Sequence, residues 1–298
     1  MRSAYFIAAA LFALPAAAQT VEVETATGPV AVPAMPETVV ALDLAAIDTL
    51  NALGIEIDGA PAITPPAYLA PALDGVPTVG SLFEPDFEAI AAMQPDLIVA
   101  GGRSQSQVEP LSEIAPTIDM TIWGDVVGQG RSRTGAYGAI FDRAAEAETL
   151  VEELDEAIAD TRAAAAEAGD ALILLTNGGK ISAYGDDSRF GWLHTTLGLT
   201  EAYPDLTAET HGEAVSFEFV AEVDPDWILV IDRGAAIGQE GEAAEATLDN
   251  PLIAGTKAGQ SGQIVYLDSA ALYLSGGGIQ ALTKVTDDVG RALAGGDS

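Results

Sequence analysis

Residues 87–103 read Phe-Glu-Ala-Ile-Ala-Ala-Met-Gln-Pro-Asp-Leu-Ile-Val-Ala-Gly-Gly-Arg, and residues 217–233 read Phe-Glu-Phe-Val-Ala-Glu-Val-Asp-Pro-Asp-Trp-Ile-Leu-Val-Ile-Asp-Arg, a constant offset of 130. Each copy predicts a short amphipathic helix with Ile90 and Met93, or Val220 and Val223, turned inward and stopped by Pro95 or Pro225. The apolar run that follows suits a strand buried on both faces, and an arginine, Arg103 or Arg233, stands just past its carboxyl end. Open α/β sheets bind ligands at that end. The repetition therefore predicts two like α/β units facing one anionic ligand.

Working outward, helical and strand patterns alternate on both sides of each copy. Residues 38–42 predict a buried strand, 45–53 a helix closed by Gly54, and the Pro- and Gly-rich stretch 59–77 a loop over the cleft. Residues 105–114 predict a helix and 118–123 a strand; the second unit restarts with strands at 171–175 and 180–184. A helix at 188–197, a strand at 263–268 and a helix at 279–293 follow. The fold class expected is α/β: two lobes, each a mostly parallel sheet flanked by helices. Residues 139–168 contain no Gly or Pro and repeat apolar residues at 140, 144, 147, 151, 154 and 158. They predict one long rigid inter-lobe helix over 138–168, about 45 Å at 1.5 Å per residue. The lobes are then 19–137 and 169–298.

The first eighteen residues carry Arg2, an apolar stretch from Ala4 to Leu14 and a small-residue run at 16–18, the pattern of a cleaved secretory signal peptide. There is no cysteine, which excludes disulfides, thiol chemistry and a lipid-modified cysteine anchor. A free periplasmic protein, monomeric, is expected. The net charge is −33, from 45 acidic against 12 basic residues, so nucleic acid and anionic membranes are poor partners. Such scarcity makes each arginine informative.

Several scattered motifs carry a resemblance. Residues 42–50 hold Leu-Asp and Ala-Ile-Asp-Thr-Leu, 79–85 read Val-Gly-Ser-Leu-Phe-Glu-Pro, and 188–191 read Ser-Arg-Phe-Gly. His211-Gly212, Asp232-Arg233-Gly234 and Tyr-Leu-Ser-Gly-Gly-Gly at 273–278 complete the set. In that order, behind a signal peptide and around a long helix, they resemble the class III periplasmic binding proteins of ABC importers, and within them the ferric catecholate siderophore binders. The resemblance implies that Arg103, Arg189 and Arg233 contact the catecholate oxygens. It implies that His211 and Tyr273 bind Fe(III) directly when the siderophore is tetradentate, and that Glu88 and Glu218 dock the lobes onto the inner-membrane permease. Fe(III) is then cargo, as its siderophore complex, with no permanent cofactor and no catalytic residue. Leu272 departs from the pattern, since many such relatives carry Trp there.

The chemistry is coherent in its own terms. Guanidinium groups are permanently charged planar donors suited to anionic chelates, and phenolate is a hard donor for a hard ion. Other readings stand beside these. Arg189 is also placed to pair with Asp186 or Asp187, and Arg131 and Arg133 read as solvated loop charges. His194, inside a predicted helix, reads as structural. Because His plus Tyr also ligates haem, a haem- or cobalamin-binding protein of the same fold is the alternative. A secreted hydrolase is disfavoured by the absence of Gly-x-Ser-x-Gly and His-Glu-x-x-His.

Overall fold

Both copies of the repeat fold alike in the computed structural model, which describes residues 19–206, 212–239, 241 and 243–295. Helix Phe87–Met93 is capped by Asp86, whose carboxylate accepts from the Glu88 and Ala89 amides, and helix Phe217–Val223 by Ser216, whose hydroxyl accepts from the Phe219 amide. Each ends in a left-handed residue, Gln94 (φ 51°) or Asp224 (φ 49°), immediately before its proline. The signal-peptide segment 1–18 and His211 lie outside the described residues.

The strands are β1 (Thr20–Thr25), β2 (Gly28–Pro33), β3 (Val39–Ala41), β4 (Leu97–Ala100), β5 (Thr117–Asp119), β6 (Asp170–Asn177), β7 (Lys180–Tyr184), β8 (Thr200–Glu201), β9 (Glu213–Val215), β10 (Trp227–Asp232) and β11 (Ile264–Tyr266). The first lobe holds a parallel sheet in the order β3-β4-β5. The second is mixed, in the order β11-β10-β6-β7-β9 with β8 beside the start of β6. Here β11, β10 and β6 run parallel, while β7 folds back on β6 through left-handed Gly178 and Gly179. The repeat strands β4 and β10 lie inside their sheets, and β4 is buried along its whole length. That position explains why they read as continuous apolar runs.

The long helix differs from expectation. It runs Ala144–Ala165, 22 residues and about 33 Å, and a separate helix, Val126–Ile140, precedes it. The break falls at Phe141–Arg143, where Asp142 takes φ 55°, a conformation that Asp tolerates without a Gly or Pro signal. Helix Val126–Ile140 contains four glycines, and close packing uses two of them. A Cβ on Gly138 would stand 2.7 Å from the Ala147 side chain, and one on Gly130 would stand 2.6 Å from the Gly277 carbonyl oxygen.

Arg131 and Arg133 lie on this helix and are not loop charges. Arg131 pairs with Asp155 on the long helix. Arg133 is buried, donating to the Glu24 carbonyl at 3.1 Å and the Thr121 carbonyl at 3.3 Å. It thereby ties down an N-terminal hairpin, β1–β2, that the strand pattern did not predict; Val23 and Val32 of the hairpin enter the first core. Helices predicted over 105–114 and 188–197 shorten to turns plus Val108–Leu111 and Trp192–Thr195, whereas Ile279–Leu293 forms as predicted.

The long helix packs into both lobes: Ala147 belongs to the first core and Leu154, Ile158 and Ala165 to the second. Tyr68, Leu150 and Tyr273 touch both cores. A second tie crosses the cleft floor. Asp48, fully buried on helix Leu44–Ala52, accepts from the Gln280 and Ala281 amides at 2.8 and 3.1 Å, and Thr49 Oγ1 accepts from the Ile279 amide at 3.2 Å. The first lobe thus caps the last helix, Ile279–Leu293, whose own N-cap, Gly278, has no side chain to offer. The glycine is required: a Cβ there would meet Asp48 at 2.5 Å.

Candidate functional site

Arg103 stands in a helical turn just after β4, and Arg233 opens the short helix Arg233–Ala236 directly after β10. The turn before Arg103 is tight, with Gly102 at φ 52° and Asp43 packed behind Gly101 and Gly102. Arg233 is aimed by Asp232, whose carboxylate caps its helix through the Ala235 amide at 2.9 Å. Arg189 comes from the loop ahead of helix Trp192–Thr195, where the Gly191 backbone presses on Asp186 with no room for a Cβ.

All three arginines reach one residue, Tyr273, the last of helix Ser269–Tyr273. Arg103 and Arg189 donate to its carbonyl oxygen at 3.2 and 3.1 Å, and Arg233 Nε donates to its phenol oxygen at 3.2 Å. The Arg189 guanidinium carbon lies 4.6 Å from the Tyr273 ring centre and that of Arg103 5.5 Å from it. Among the described residues none of the three forms an ion pair with a carboxylate; Arg189 pairs with neither Asp186 nor Asp187. The three guanidinium groups are therefore gathered without a direct ion-pair partner, although the buried Asp43 acts on Arg103 through its charge. Arg233 adds one neutral contact, Nη1 to Asn177 Oδ1 at 3.4 Å.

The electrostatics follow from this crowding. Burial pushes the Tyr273 phenol up, but the Arg233 hydrogen bond and the charges of Arg233, Arg189 and Arg103 outweigh it, and the net shift is downward. A phenol so placed gives up its proton more readily, as a metal ligand must. Burial lowers the Arg189 guanidinium, with the phenols of Tyr273 and Tyr184 opposing. Tyr184, pushed up to about 12 by burial, meets Phe190 edge to face at 4.8 Å.

Two hollows flank the arginines. One, of about 550 Å³, is lined by Arg103, Arg233 and Tyr273 with Leu82 and Phe83; the other, of about 500 Å³, by Arg189, Leu272, Trp192 and Trp123 together with Asp125, Asp186 and Asp187. His211 lies outside the described residues, but its neighbour Gly212 (φ 70°) lies against the Tyr184 ring, where a Cβ would approach to 2.6 Å. His194 is buried with Nδ1 3.1 Å from the Leu199 carbonyl oxygen, a structural histidine. Glu88 and Glu218 are exposed in the first turns of the two repeat helices. Among the described residues no cluster of His, Cys, Asp and Glu could hold a metal ion by itself. No described helix is long and apolar enough to cross a membrane. Sequence reasoning missed Tyr184, Asn177, Phe83 and Trp123 as neighbours of the site; the first two end strands β7 and β6, a position that could have signalled them.

Two α/β lobes, spanned by one helix and meeting at a cluster of three arginines, define a binding protein for an anionic ligand. The chain belongs to the periplasmic binding protein family, whose sequence profile matches residues 39–271. It is 36% identical over 263 residues to the petrobactin-binding protein YclQ of Bacillus subtilis (87% of this chain, 83% of that protein). The crystal structure of YclQ superposes with a TM-score of 0.87, covering 92% of this chain and 99% of that one. The ferric-anguibactin-binding protein FatB of Vibrio anguillarum is 30% identical over 262 residues (85% and 81%). The periplasmic catecholate-siderophore binding protein VctP of Vibrio cholerae matches in structure with a TM-score of 0.85 at 31% identity, covering 91% and 99% of the two chains. Two relatives at 25% identity are named as lipoproteins.

Proposed function

We propose that the protein captures a ferric siderophore of the catecholate type in the periplasm and delivers it to an ABC importer, and that it is not an enzyme. The observation that carries this reading is the convergence of Arg103, Arg189 and Arg233 on Tyr273, none of them held in an ion pair among the described residues. An anionic chelate supplies that partner, and each charge-assisted contact contributes about 1.5–3 kcal/mol. The relatives named for petrobactin, anguibactin and catecholate siderophores support the same cargo, and none of those relatives is named for haem or cobalamin.

The finer roles are part of the proposal. Tyr273 and His211 fill the two coordination sites that a tetradentate catecholate leaves open on iron. Glu88 and Glu218, repeated on the two lobes, dock a monomer onto the permease. The free, untethered state rests on the absence of cysteine from the sequence, and membrane fractionation of the producing cell tests it. For the cargo, the test is calorimetric titration with ferric tetradentate and hexadentate catecholates, a neutral ferric hydroxamate and haem. Tight binding of the catecholates alone is expected; preference for the hydroxamate or haem overturns the reading.

A further inference from the structure

In so acidic a chain, large apolar side chains left in water call for a reason, and two of them rim the arginine centre. Trp123 is 64% exposed and Phe83 61%. Leaving an indole open forgoes the stabilisation that its burial would bring. Neither side chain is short of structure beneath it. The Trp123 backbone is fixed by its N–H donating to Gln129 Oε1, and the loop under Phe83 is held by the Ser81 hydroxyl, which accepts from the Phe83 and Glu84 amides at 3.3 and 3.0 Å.

Their positions are complementary. Trp123 lines the hollow that contains Arg189, and Phe83 lines the one that contains Arg103 and Arg233. Tyr273 lines the second hollow and is tied to the first through its carbonyl, which accepts from both Arg103 and Arg189. Each hollow therefore holds a guanidinium and an exposed aromatic side chain, with Asp125, Asp186 and Asp187 also on the wall of the first. That combination suits a ring bearing anionic oxygens: the oxygens meet the guanidinium and the ring face meets the aromatic side chain. A citrate-like chelate satisfies the first half only.

We infer that Trp123 and Phe83 are specificity-determining residues that stack on the aromatic arms of the chelate, one arm in each hollow, and so select aromatic over aliphatic anionic chelates. The inference rests on the function proposed above. Offset or edge-on aromatic contacts are favourable beyond the area they bury, so Trp123→Ala and Phe83→Ala should each weaken binding of a ferric bis-catecholate about three- to tenfold. The double variant should lose the product of the two, and ferric citrate binding should change less than twofold. Trp123→Phe should restore most of the loss, and circular dichroism should show all variants folded, since both side chains are exposed.

Titration calorimetry with the two chelates reads the outcome. If the wild-type protein binds the bis-catecholate and the alanine variants bind it equally well, or lose both chelates alike, the stacking role is overturned and the proposed cargo stands. If the wild-type protein binds neither chelate, the proposed function falls and takes this inference with it.

Discussion

At the residue scale the arginines are the quantities to vary. Each of Arg103→Ala, Arg189→Ala and Arg233→Ala should weaken binding of a ferric catecholate about tenfold or more, since one decade corresponds to about 1.4 kcal/mol. Arg189→Ala also opens the face of Tyr273 that Arg189 covers. Unchanged affinity in all three variants would remove the arginines from the site. Tyr273→Phe keeps the ring and deletes only the oxygen that Arg233 now contacts at 3.2 Å. A tetradentate ferric catecholate should then bind more weakly and its visible charge-transfer band should move, while a hexadentate one binds almost as before; identical spectra in variant and parent would show that the phenol does not touch iron. Arg103 and Arg233 were legible because a Pro-stopped helix and a buried strand, written twice, end at an arginine, whereas Arg189 and Tyr273 were legible only through the family motifs around them. Arg133 was not. A buried guanidinium served by carbonyls of Glu24 and Thr121 leaves no local trace in the sequence. Trp123 was read into a strand, but β5 stops at Asp119, whose carboxylate turns back to the Thr121 amide and hydroxyl and lets the indole out into the cleft.

At the element scale the helix pattern was legible where one face decides it and illegible where packing does. Helix Ile279–Leu293 matches its periodicity end to end, whereas Val126–Ile140 hides behind glycines whose purpose is contact with Gly277 and Ala147. The cap on Ile279–Leu293 gives a pH test. Burial pushes the Asp48 carboxyl up to about 7, against the lowering pull of the Tyr68 hydroxyl, 2.6 Å away, and of the Gln280 and Ala281 amides. With its folded value above its unfolded one, Asp48 holds a proton that the unfolded chain has already released between about pH 4 and 7. Its contribution to stability is therefore full below about pH 4 and is lost as pH rises through 7. Asp48→Asn should be less stable throughout, since Asn offers one acceptor oxygen where Asp48 uses both of its own, one for each helix amide. It should also lack this part of the decline; thermal melts of the two proteins at pH 5 and 7.5 compare the slopes. Parallel slopes would show that Asp48 does not titrate in that window. Asp43, raised to about 6 chiefly by burial, also raises Asp48 through its charge, so the comparison reads the coupled pair.

At the scale of the whole molecule charge dominates. A net −33 repels itself, and raising salt from about 0.1 to 1 M shortens the screening length from about 10 to 3 Å, so the melting temperature should rise with NaCl. A flat response would mean that the acidic groups are already spaced or paired. The proposed docking glutamates make a separable test: Glu88→Arg with Glu218→Arg should leave siderophore affinity unchanged and lower uptake through the cognate permease, with single variants losing less. Normal uptake by the double variant would remove the role.

The capping of the last helix by Asp48 and Thr49 has one more consequence. Hydrogen bonds that complete the chain's final helix are supplied by residues near its beginning, and the long helix roots its first turns in one core and the rest in the other. Unfolding either lobe strips partners from its neighbour, so scanning calorimetry should record a single endotherm for the two sheets together. Deleting residues 277–295 should lower the melting temperature of the amino-terminal lobe as well, although that lobe contains none of the deleted residues.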